Sequence, residues 1–232
     1  MVDERGGLSS ASSVERDWLC RGAFEAQKGL VDKGSDDASR GTLRHDYEEK
    51  QTPLADIPDD EDRECSRRAR ASLEHLREEL GIGSESIIRR EDRFWLEHNN
   101  KPILSGQLDY LETWDRGTLI ADYKMLYGVH TSAPSNLQLA AYAALVYNST
   151  QKHPIYAALI EPFGEPSMTT TMFDKSKLEE ITDQLINLYE EVYSGSAPRT
   201  AGAKQCKFCK ALGRCNEAFN YVKETYDERR ID

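Results

Sequence analysis

Two aspartates and a lysine stand close together in a part of the chain where apolar and polar residues alternate. Asp109 lies in one predicted strand, 103–112, and Asp122 and Lys124 lie in the next, 117–125. Because side chains alternate along a strand, Asp122 and Lys124 share one face, and a hairpin between the strands can bring Asp109 beside them. Two carboxylates and an ammonium group would then converge at one edge of the sheet.

These groups meet the chemical needs of phosphodiester hydrolysis. Two carboxylates can hold Mg2+ or Mn2+, which neutralises charge on the phosphate and helps to generate the attacking hydroxide. A lysine at the same point can orient the water and stabilise developing negative charge. An aspartate and a lysine two residues apart are usually a solvated pair. Two features favour a site instead: the apolar run Leu119–Ala121 before Asp122, and Gly106, where backbone or ligand can approach closely.

The segments around these residues predict a fold of class α+β. Three consecutive strands are predicted at 87–98, 103–112 and 117–125, with turns at Asn99-Asn100 and 115–117, and one or two more at 154–163 and 167–173. Helices are predicted within 8–28, 43–50, 60–80, 134–149 and 174–193, and loops at 31–42 and 51–62. This order indicates a sheet with helices packed against it and a helical front end.

The length of 232 residues suffices for one good-sized core. We expect a single domain over 1–232. It would consist of a helical N-terminal part (1–85), a core that carries the sheet (86–194) and a cysteine-containing C-terminal segment (195–232).

The charge balance is acidic, with 30 basic and 41 acidic residues and a net charge of -11. This argues against bulk attraction to nucleic acid, although a catalytic cleft needs only a local basic lining and a divalent metal. No stretch approaches the roughly 18 apolar residues of a membrane span, and the N-terminus lacks the basic-then-apolar order of a secretory signal. We therefore expect a cytoplasmic protein with no membrane partner.

Five cysteines are present, and their odd number argues against a disulfide framework. Cys206, Cys209 and Cys215 have the spacing C-x2-C-x5-C, and Cys20 is distant in sequence. Four thiolates suit zinc or an iron–sulfur cluster, and spacing alone favours zinc. Cys65 is the leftover residue, expected as a free thiol, although it could compete with Cys20 as the fourth ligand.

Three motifs together resemble the PD-(D/E)xK nuclease superfamily, specifically its RecB-like branch. They are G-Q-L-D at 106–109, L-I-A-D-Y-K at 119–124 and Q-L-A-A-Y-A at 138–143. The resemblance implies a restriction-endonuclease-like central mixed sheet flanked by helices. The chain departs from the pattern in having Asp122 where Glu is commoner and Leu108 where the motif has an optional Pro.

The resemblance also implies residue roles. The metal ligands would be His45, Asp109, Asp122 and the carbonyl of Tyr123. Lys124 would position the attacking water, and Gln138 and Tyr142, which share a helical face at i and i+4, would hold substrate next to the reaction. Glu91 is a weaker candidate for the acidic residue at the start of the first strand. The other histidines are expected to have no special role: His75, His98, His130 and His153.

The cysteine arrangement resembles that of RecB-like nucleases of the AddB type and those associated with CRISPR adaptation. They place one cysteine before the core and three after it, around a [4Fe-4S] cluster. The segment SSASSVERDWLC resembles the N-terminal motif of phage-encoded members, so that the resemblance covers about residues 8–220. It implies a cluster on Cys20, Cys206, Cys209 and Cys215, favoured over zinc, that joins the N-terminal helix to the C-terminal segment.

The leading hypothesis is a metal-dependent DNA nuclease, an exonuclease acting on DNA ends or single strands in recombination, repair or phage DNA processing. Its partners would be DNA and helicase, recombination or adaptation proteins. A second hypothesis is a non-catalytic subunit of a DNA-processing complex that keeps the fold and the cluster. A third is a zinc-stabilised RNA-processing enzyme.

Overall fold

The computed structural model describes residues 5–31, 34 and 36–228. The strands are β1 (Ile87–His98), β2 (Lys101–Trp114), β3 (Gly117–Tyr123), β4 (Ile155–Ile160) and β5 (Met168–Phe173). The helices are α1 (Val14–Leu19), α2 (Ala23–Gln27), α3 (Asp36–Glu49), α4 (Asp60–Glu79), α5 (Leu137–Thr150), α6 (Lys175–Val192), α7 (Ala203–Cys206) and α8 (Asn216–Glu228).

The five strands form one mixed sheet in the order β1-β2-β3-β4-β5. The first three make an antiparallel meander, β3 and β4 pair in parallel, and β5 is antiparallel to β4. A parallel pair needs a long crossover, and α5 supplies it between β3 and β4. The expected class is confirmed: the fold is α+β with a helix-flanked mixed sheet, consistent with a restriction-endonuclease-like fold.

Helices cover the sheet on both faces, so that β3 is buried along its whole length. Ile120 packs in the core formed with α5 and α6, whereas Leu119, Ala121 and Tyr123 pack in the core formed with α4. Because side chains alternate along the strand, Asp122 lies on the same face as Ile120 and is directed toward α5. The sequence of β3 therefore places one charged group inside an otherwise apolar layer.

Local sequence features account for the turn between β1 and β2 and for the start of α6. Asn99 and Asn100 have φ angles of 52° and 58°, the left-handed backbone that a tight hairpin between β1 and β2 requires. The Asp174 carboxylate accepts a hydrogen bond from the Lys177 amide at 2.8 Å and caps α6. Position 85/86, the expected boundary between the N-terminal part and the core, lies between α4 and β1. Position 194/195, the expected boundary between the core and the C-terminal segment, lies after α6.

The loop predicted at 31–42 is wrong in its second half, because α3 begins at Asp36. Tertiary contacts compensate for the low helix propensity of this stretch. Arg40 donates to Asp59 and Asp62, each at 3.0 Å, and ties the first half of α3 to the start of α4. A prediction from local helix propensity alone does not take these contacts into account.

The single helix expected within 8–28 is divided into α1 and α2 by a break at Cys20–Gly22. The C-terminal chain crosses here, and the Gly22 amide donates to the Pro198 carbonyl at 2.8 Å. A Cβ atom at Gly22 would lie 2.7 Å from the Ala197 carbonyl oxygen, so that only glycine fits without a shift. The expected packing of the two terminal segments is present, and it interrupts the helix.

A buried carboxylate fixes α4 to β2. Glu112 has no exposed surface and accepts hydrogen bonds from Arg77 at 2.8 and 3.0 Å, and from Ser86 and Tyr110. Burial of the Glu112 carboxylate disfavours its charge, but these donors lower its pKa below the usual value. The stabilisation is present above the unfolded-state pKa of a glutamate and is lost as the pH falls through the lowered pKa.

Replacing this carboxylate, as in Glu112→Gln, is expected to lower the free energy of unfolding by about 3 kcal/mol, because Arg77 loses its buried partner. Urea unfolding followed by circular dichroism measures the change. Glu74→Gln is the matched control, since Glu74 pairs with the same arginine but is 59% exposed. We expect it to cost less than about 1 kcal/mol. Equal losses in the two variants would contradict this assignment.

Among the described residues, no helix combines the length and the apolar character needed to cross a membrane.

Candidate active site

The site lies where β2 and β3 separate. The last paired residues of this hairpin are Tyr110 and Ala121, so that Asp109 and Asp122 occupy the next opposed positions. The Asp109 carboxylate accepts a hydrogen bond from the Tyr123 amide at 2.7 Å, in place of a backbone partner. This hydrogen bond holds the Asp109 side chain against the chain segment that carries Asp122 and Lys124.

Asp122, Lys124 and Gln138 form a closed network beside Asp109. Lys124 Nζ lies 2.7 Å from Asp122 Oδ2 and donates to Gln138 Oε1 at 3.0 Å. Gln138 Nε2 in turn donates to Asp122 Oδ1 at 2.9 Å. The network joins the end of β3 to the first turn of α5, and each side chain fixes the position of the other two.

Both charges of this network are held in a largely buried environment. Burial raises the pKa of the Asp122 carboxyl, with Lys124 opposing the shift and Asp109 adding to it. Burial works against the ammonium of Lys124, but Asp122 overcomes it and raises the pKa of Lys124. Lys124 therefore stays protonated at neutral pH. Asp122 Oδ2 is buried and forms an ion pair with the Lys124 ammonium at 2.7 Å.

Tyr142 supports the network from behind. Its hydroxyl accepts a hydrogen bond from Gln138 Nε2 at 3.0 Å, and the side chain is buried. A Cβ atom at Gly106 would lie 2.7 Å from the Tyr142 ring, so this glycine gives room to side chains of α5, whereas the sequence suggested close approach of backbone or ligand. Contact of Tyr142 with substrate stays a prediction, and the contact that the structure gives it is with Gln138.

The histidine in α3 reaches the same place from the other side. His45 Nδ1 lies 3.4 Å from Asp109 Oδ1. Burial of the His45 ring disfavours its charge, but the hydrogen bond and charge of Asp109 raise its pKa. Its neighbour Arg44 is buried and donates to Asp62 and to the Met125 carbonyl, both at 2.6 Å, which anchors α3 next to the end of β3.

Glu91 completes an acidic group that the sequence suggested only weakly. It lies within β1 and not at its start, and one ligand atom from each of His45, Glu91 and Asp109 can be chosen so that all lie within 4.8 Å of one another. Glu91 has a φ of 51°, which a non-glycine residue in a strand rarely adopts. Burial and the neighbouring Asp109 raise the pKa of Glu91 to about 7. These three residues line a cleft of about 490 Å³.

One histidine that the sequence left without a role lies close to the network. His130 Nδ1 is 2.7 Å from Glu161 Oε1, and Glu161 directly follows β4, the parallel neighbour of β3. His130 lines the same groove as Lys124 and Gln138. No sequence signal connects His130 with Glu161, because the parallel crossover brings the ends of β3 and β4 together.

Three of the expected cysteine ligands lie near the fourth, Cys20. Burial raises the pKa of the Cys20 thiol, and the nearby Cys206, Cys209 and Cys215 thiols add to the shift. The Thr200 amide donates to Cys20 Sγ at 3.2 Å, and the Gly202 amide to Cys206 Sγ at 3.5 Å. Backbone donors of this kind stabilise thiolates and accompany metal–thiolate sites.

Cys65 belongs to a different part of the molecule. It lies on α4 with its side chain fully buried next to the end of β3, and its Sγ is 3.7 Å from Met125 Sδ. Burial raises the pKa of this thiol to about 11, which keeps it protonated. Cys20, and not Cys65, is therefore the fourth cysteine near the other three.

Residues 7–230 match the model of a family described as a protein of unknown function, DUF2800. The chain belongs to this family. No curated protein matches the sequence.

Solved structures resemble the fold at low sequence identity. One is the crystal structure of a candidate exonuclease from Eubacterium rectale, with a TM-score of 0.53 and 14% identity, covering 88% of this chain and 90% of that one. Another is the crystal structure of SSO0001, with 16% identity and coverage of 87% and 96%. Its TM-score of 0.36 is too low to support an argument. The first likeness agrees with the fold described above.

Proposed function

We propose that the protein is a metal-dependent nuclease that hydrolyses DNA phosphodiester bonds at Asp109, Asp122 and Lys124. The observation that carries the proposal is their arrangement: two opposed carboxylates at the point where β2 and β3 separate, with a protonated lysine 2.7 Å from one of them. A solvated surface pair would not be buried, nor fixed by a glutamine from a neighbouring helix. The exonuclease name of the Eubacterium rectale protein agrees with this proposal.

The donor set fits a hard divalent cation such as Mg2+ or Mn2+. Carboxylate oxygens would come from Asp109 and Asp122, an imidazole from His45 and a carbonyl from Tyr123. His45 and Asp109 lie in one group of ligand atoms within 4.8 Å of one another, whereas Asp122 is outside that group and is paired with Lys124. Glu91 adds a carboxylate to the same cleft. When bound, the ion would neutralise charge on the phosphate and lower the pKa of water.

The side chains of the chain itself supply positioning and charge. Lys124 keeps its proton, and from the end of β3 its ammonium can donate to the attacking water or to a phosphate oxygen as negative charge develops. Gln138 and Asp122 fix the lysine in place, and Tyr142 fixes Gln138. Gln138 therefore belongs to the proposed reaction centre, because it contacts both Lys124 and Asp122. Because these contacts exist before substrate binds, little reorganisation is required during the reaction.

We further propose that Cys20, Cys206, Cys209 and Cys215 hold a [4Fe-4S] cluster. Among the residues that the structure describes, His45, Glu91 and Asp109 are the one group of three with ligand atoms all within 4.8 Å, so the four sulfurs are spread more widely. A single zinc ion with Zn–S bonds of about 2.3 Å would draw them closer together. The cluster's role would be structural, joining the break between α1 and α2 to the chain around α7.

The proposed substrates are DNA ends and single strands in recombination, repair or phage DNA processing, with helicase, recombination or adaptation proteins as partners. A cytoplasmic location stays a prediction that rests on sequence composition.

Incubation with end-labelled DNA tests the proposal. Linear single strands should be degraded with Mn2+ or Mg2+ and preserved in EDTA, and a matched RNA should persist. A circular single strand should resist an exonuclease, because it offers no end. Failure to cut any linear DNA with either metal would contradict the proposal and favour a non-catalytic subunit, and preferential cleavage of the RNA would favour an RNA-processing enzyme.

A further inference from the structure

The chain segment around the cysteines differs in charge from the rest of the protein. Residues 194–216 contain five basic residues and no aspartate or glutamate, in a chain with 30 basic and 41 acidic residues. The five are Arg199, Lys204, Lys207, Lys210 and Arg214. A locally basic surface on an acidic protein is typical of a site for a polyanion.

This segment forms one wall of a groove that begins at the active site. The groove has a volume of about 630 Å³, and Lys124 and Gln138 are among the residues that line it. Lys207 and Phe208 line it on the side of the cysteine segment, and Tyr127 lines it from the loop between β3 and α5. A polymer strand with its phosphate at Lys124 can therefore continue along this groove.

Two aromatic rings in the groove are exposed to solvent. Phe208 is 78% exposed and Tyr127 is 69% exposed. The Tyr127 ring stacks on Phe163, with centroids 4.4 Å apart and planes at 20°, so its orientation is fixed while much of its surface remains open. An exposed ring held in a fixed plane can stack with an unpaired base without an ordering cost.

Positive charge accompanies the rings. Lys207 Nζ lies 5.0 Å from the centroid of the Phe208 ring, and among the residues that the structure describes no carboxylate forms an ion pair with it. Lys204 has an exposed ion pair with Glu15 at 3.4 Å, so Lys207 is the more available charge for a phosphate. Aromatic and basic side chains in one groove are the usual means of binding single strands without sequence preference. Asp37 also lines the groove, so its lining is of mixed charge.

We infer that this groove, defined by Tyr127, Lys207 and Phe208, binds the unpaired strand that extends from the scissile phosphate, with bases stacked on the two rings and a phosphate at the lysine. The inference rests on the proposed function for its substrate class and deepens it by assigning the surface that selects single strands. A duplex has no free base faces, and the groove should bind it more weakly.

Fluorescence anisotropy with a labelled poly-dT oligonucleotide in EDTA tests the inference without cleavage. Tyr127→Ala and Phe208→Ala should each weaken binding about tenfold, and Tyr127→Phe, which keeps the ring, should restore it. Lys207→Ala should weaken binding and reduce the slope of log affinity against log salt by about 0.7, the value for one phosphate on a single strand. The matched controls are Phe219→Ala and Lys223→Ala, exposed residues of α8 outside the groove, which should bind as the wild type does.

An oligonucleotide of abasic sites separates stacking from charge. The wild type should bind it more weakly than poly-dT, and in Tyr127→Ala, which keeps only the Phe208 ring, this difference should be smaller. Binding by the groove variants equal to that of the two controls would overturn the inference, as would a wild type that binds no oligonucleotide. A wild type that binds through these residues but cleaves no DNA with Mn2+ would support the groove and refute the nuclease, so the two failures are distinguishable.

Discussion

Substitution of Lys124 with alanine is expected to reduce the rate of DNA cleavage by about 10²–10³-fold while leaving the protein folded. The ammonium contacts both Asp122 and Gln138 and borders the groove, so its removal takes away a positioned donor and positive charge from the reaction centre. Initial rates on a linear single strand with Mn2+, compared between variant and wild type, measure the effect.

The matched control is Lys175→Ala. Lys175 lies at the start of α6 and forms an exposed pair with Glu179 at 3.7 Å. It lines neither the cleft nor the groove, so the change removes the same charge outside the site. Its cleavage rate should equal that of the wild type. A Lys124→Ala protein that cleaves at the wild-type rate would remove the lysine from the mechanism and leave its network as a structural feature only.

Loss of one cysteine ligand, as in Cys209→Ala, is expected to remove both the brown colour of aerobically purified protein and much of its stability. A cluster contributes its binding free energy to folding, because the unfolded chain does not present a preformed site. A loss of about 3 kcal/mol would lower the Tm of a chain of this size by about 6–12 °C. The absorbance spectrum, iron content and thermal unfolding report the two effects together.

Cys65→Ala provides the comparison for this experiment. Cys65 lies on α4, buried next to the end of β3 and away from the other cysteines, so its removal should cost some packing but leave colour and iron content unchanged. A colourless wild-type protein with one zinc ion per chain would contradict the cluster assignment. Loss of iron in Cys65→Ala would show that the ligand set is different.

The elements nearest the site could be predicted from sequence because their signals are local. Strands β1 to β3 follow from alternation and from turn residues such as Asn99 and Asn100, and α6 follows from its apolar period and the Asp174 cap. The pair formed by Asp122 and Lys124 needed only the period of a strand. These features depend on neighbours a few residues apart, which a sequence displays directly.

The remaining parts depend on contacts between distant residues. Helix α3 begins earlier than its composition suggests because Arg40 binds the start of α4. Glu91 joins the site through the register of β1 on β2 and a strained φ, neither of which the sequence encodes visibly. His130 and Glu161 meet only because β3 and β4 are parallel neighbours. The positions of Glu91 and His130 could therefore not be predicted from the sequence, because they depend on strand register and on the crossover between β3 and β4.

Crystals soaked in Mn2+ and measured near the manganese absorption edge test the central claim most directly. We predict an anomalous peak in the cleft within about 2.5 Å of carboxylate oxygens of both Asp109 and Asp122, with the His45 ring and the Tyr123 carbonyl completing the shell. Manganese peaks confined to other parts of the molecule, with these two carboxylates unbound, would contradict it.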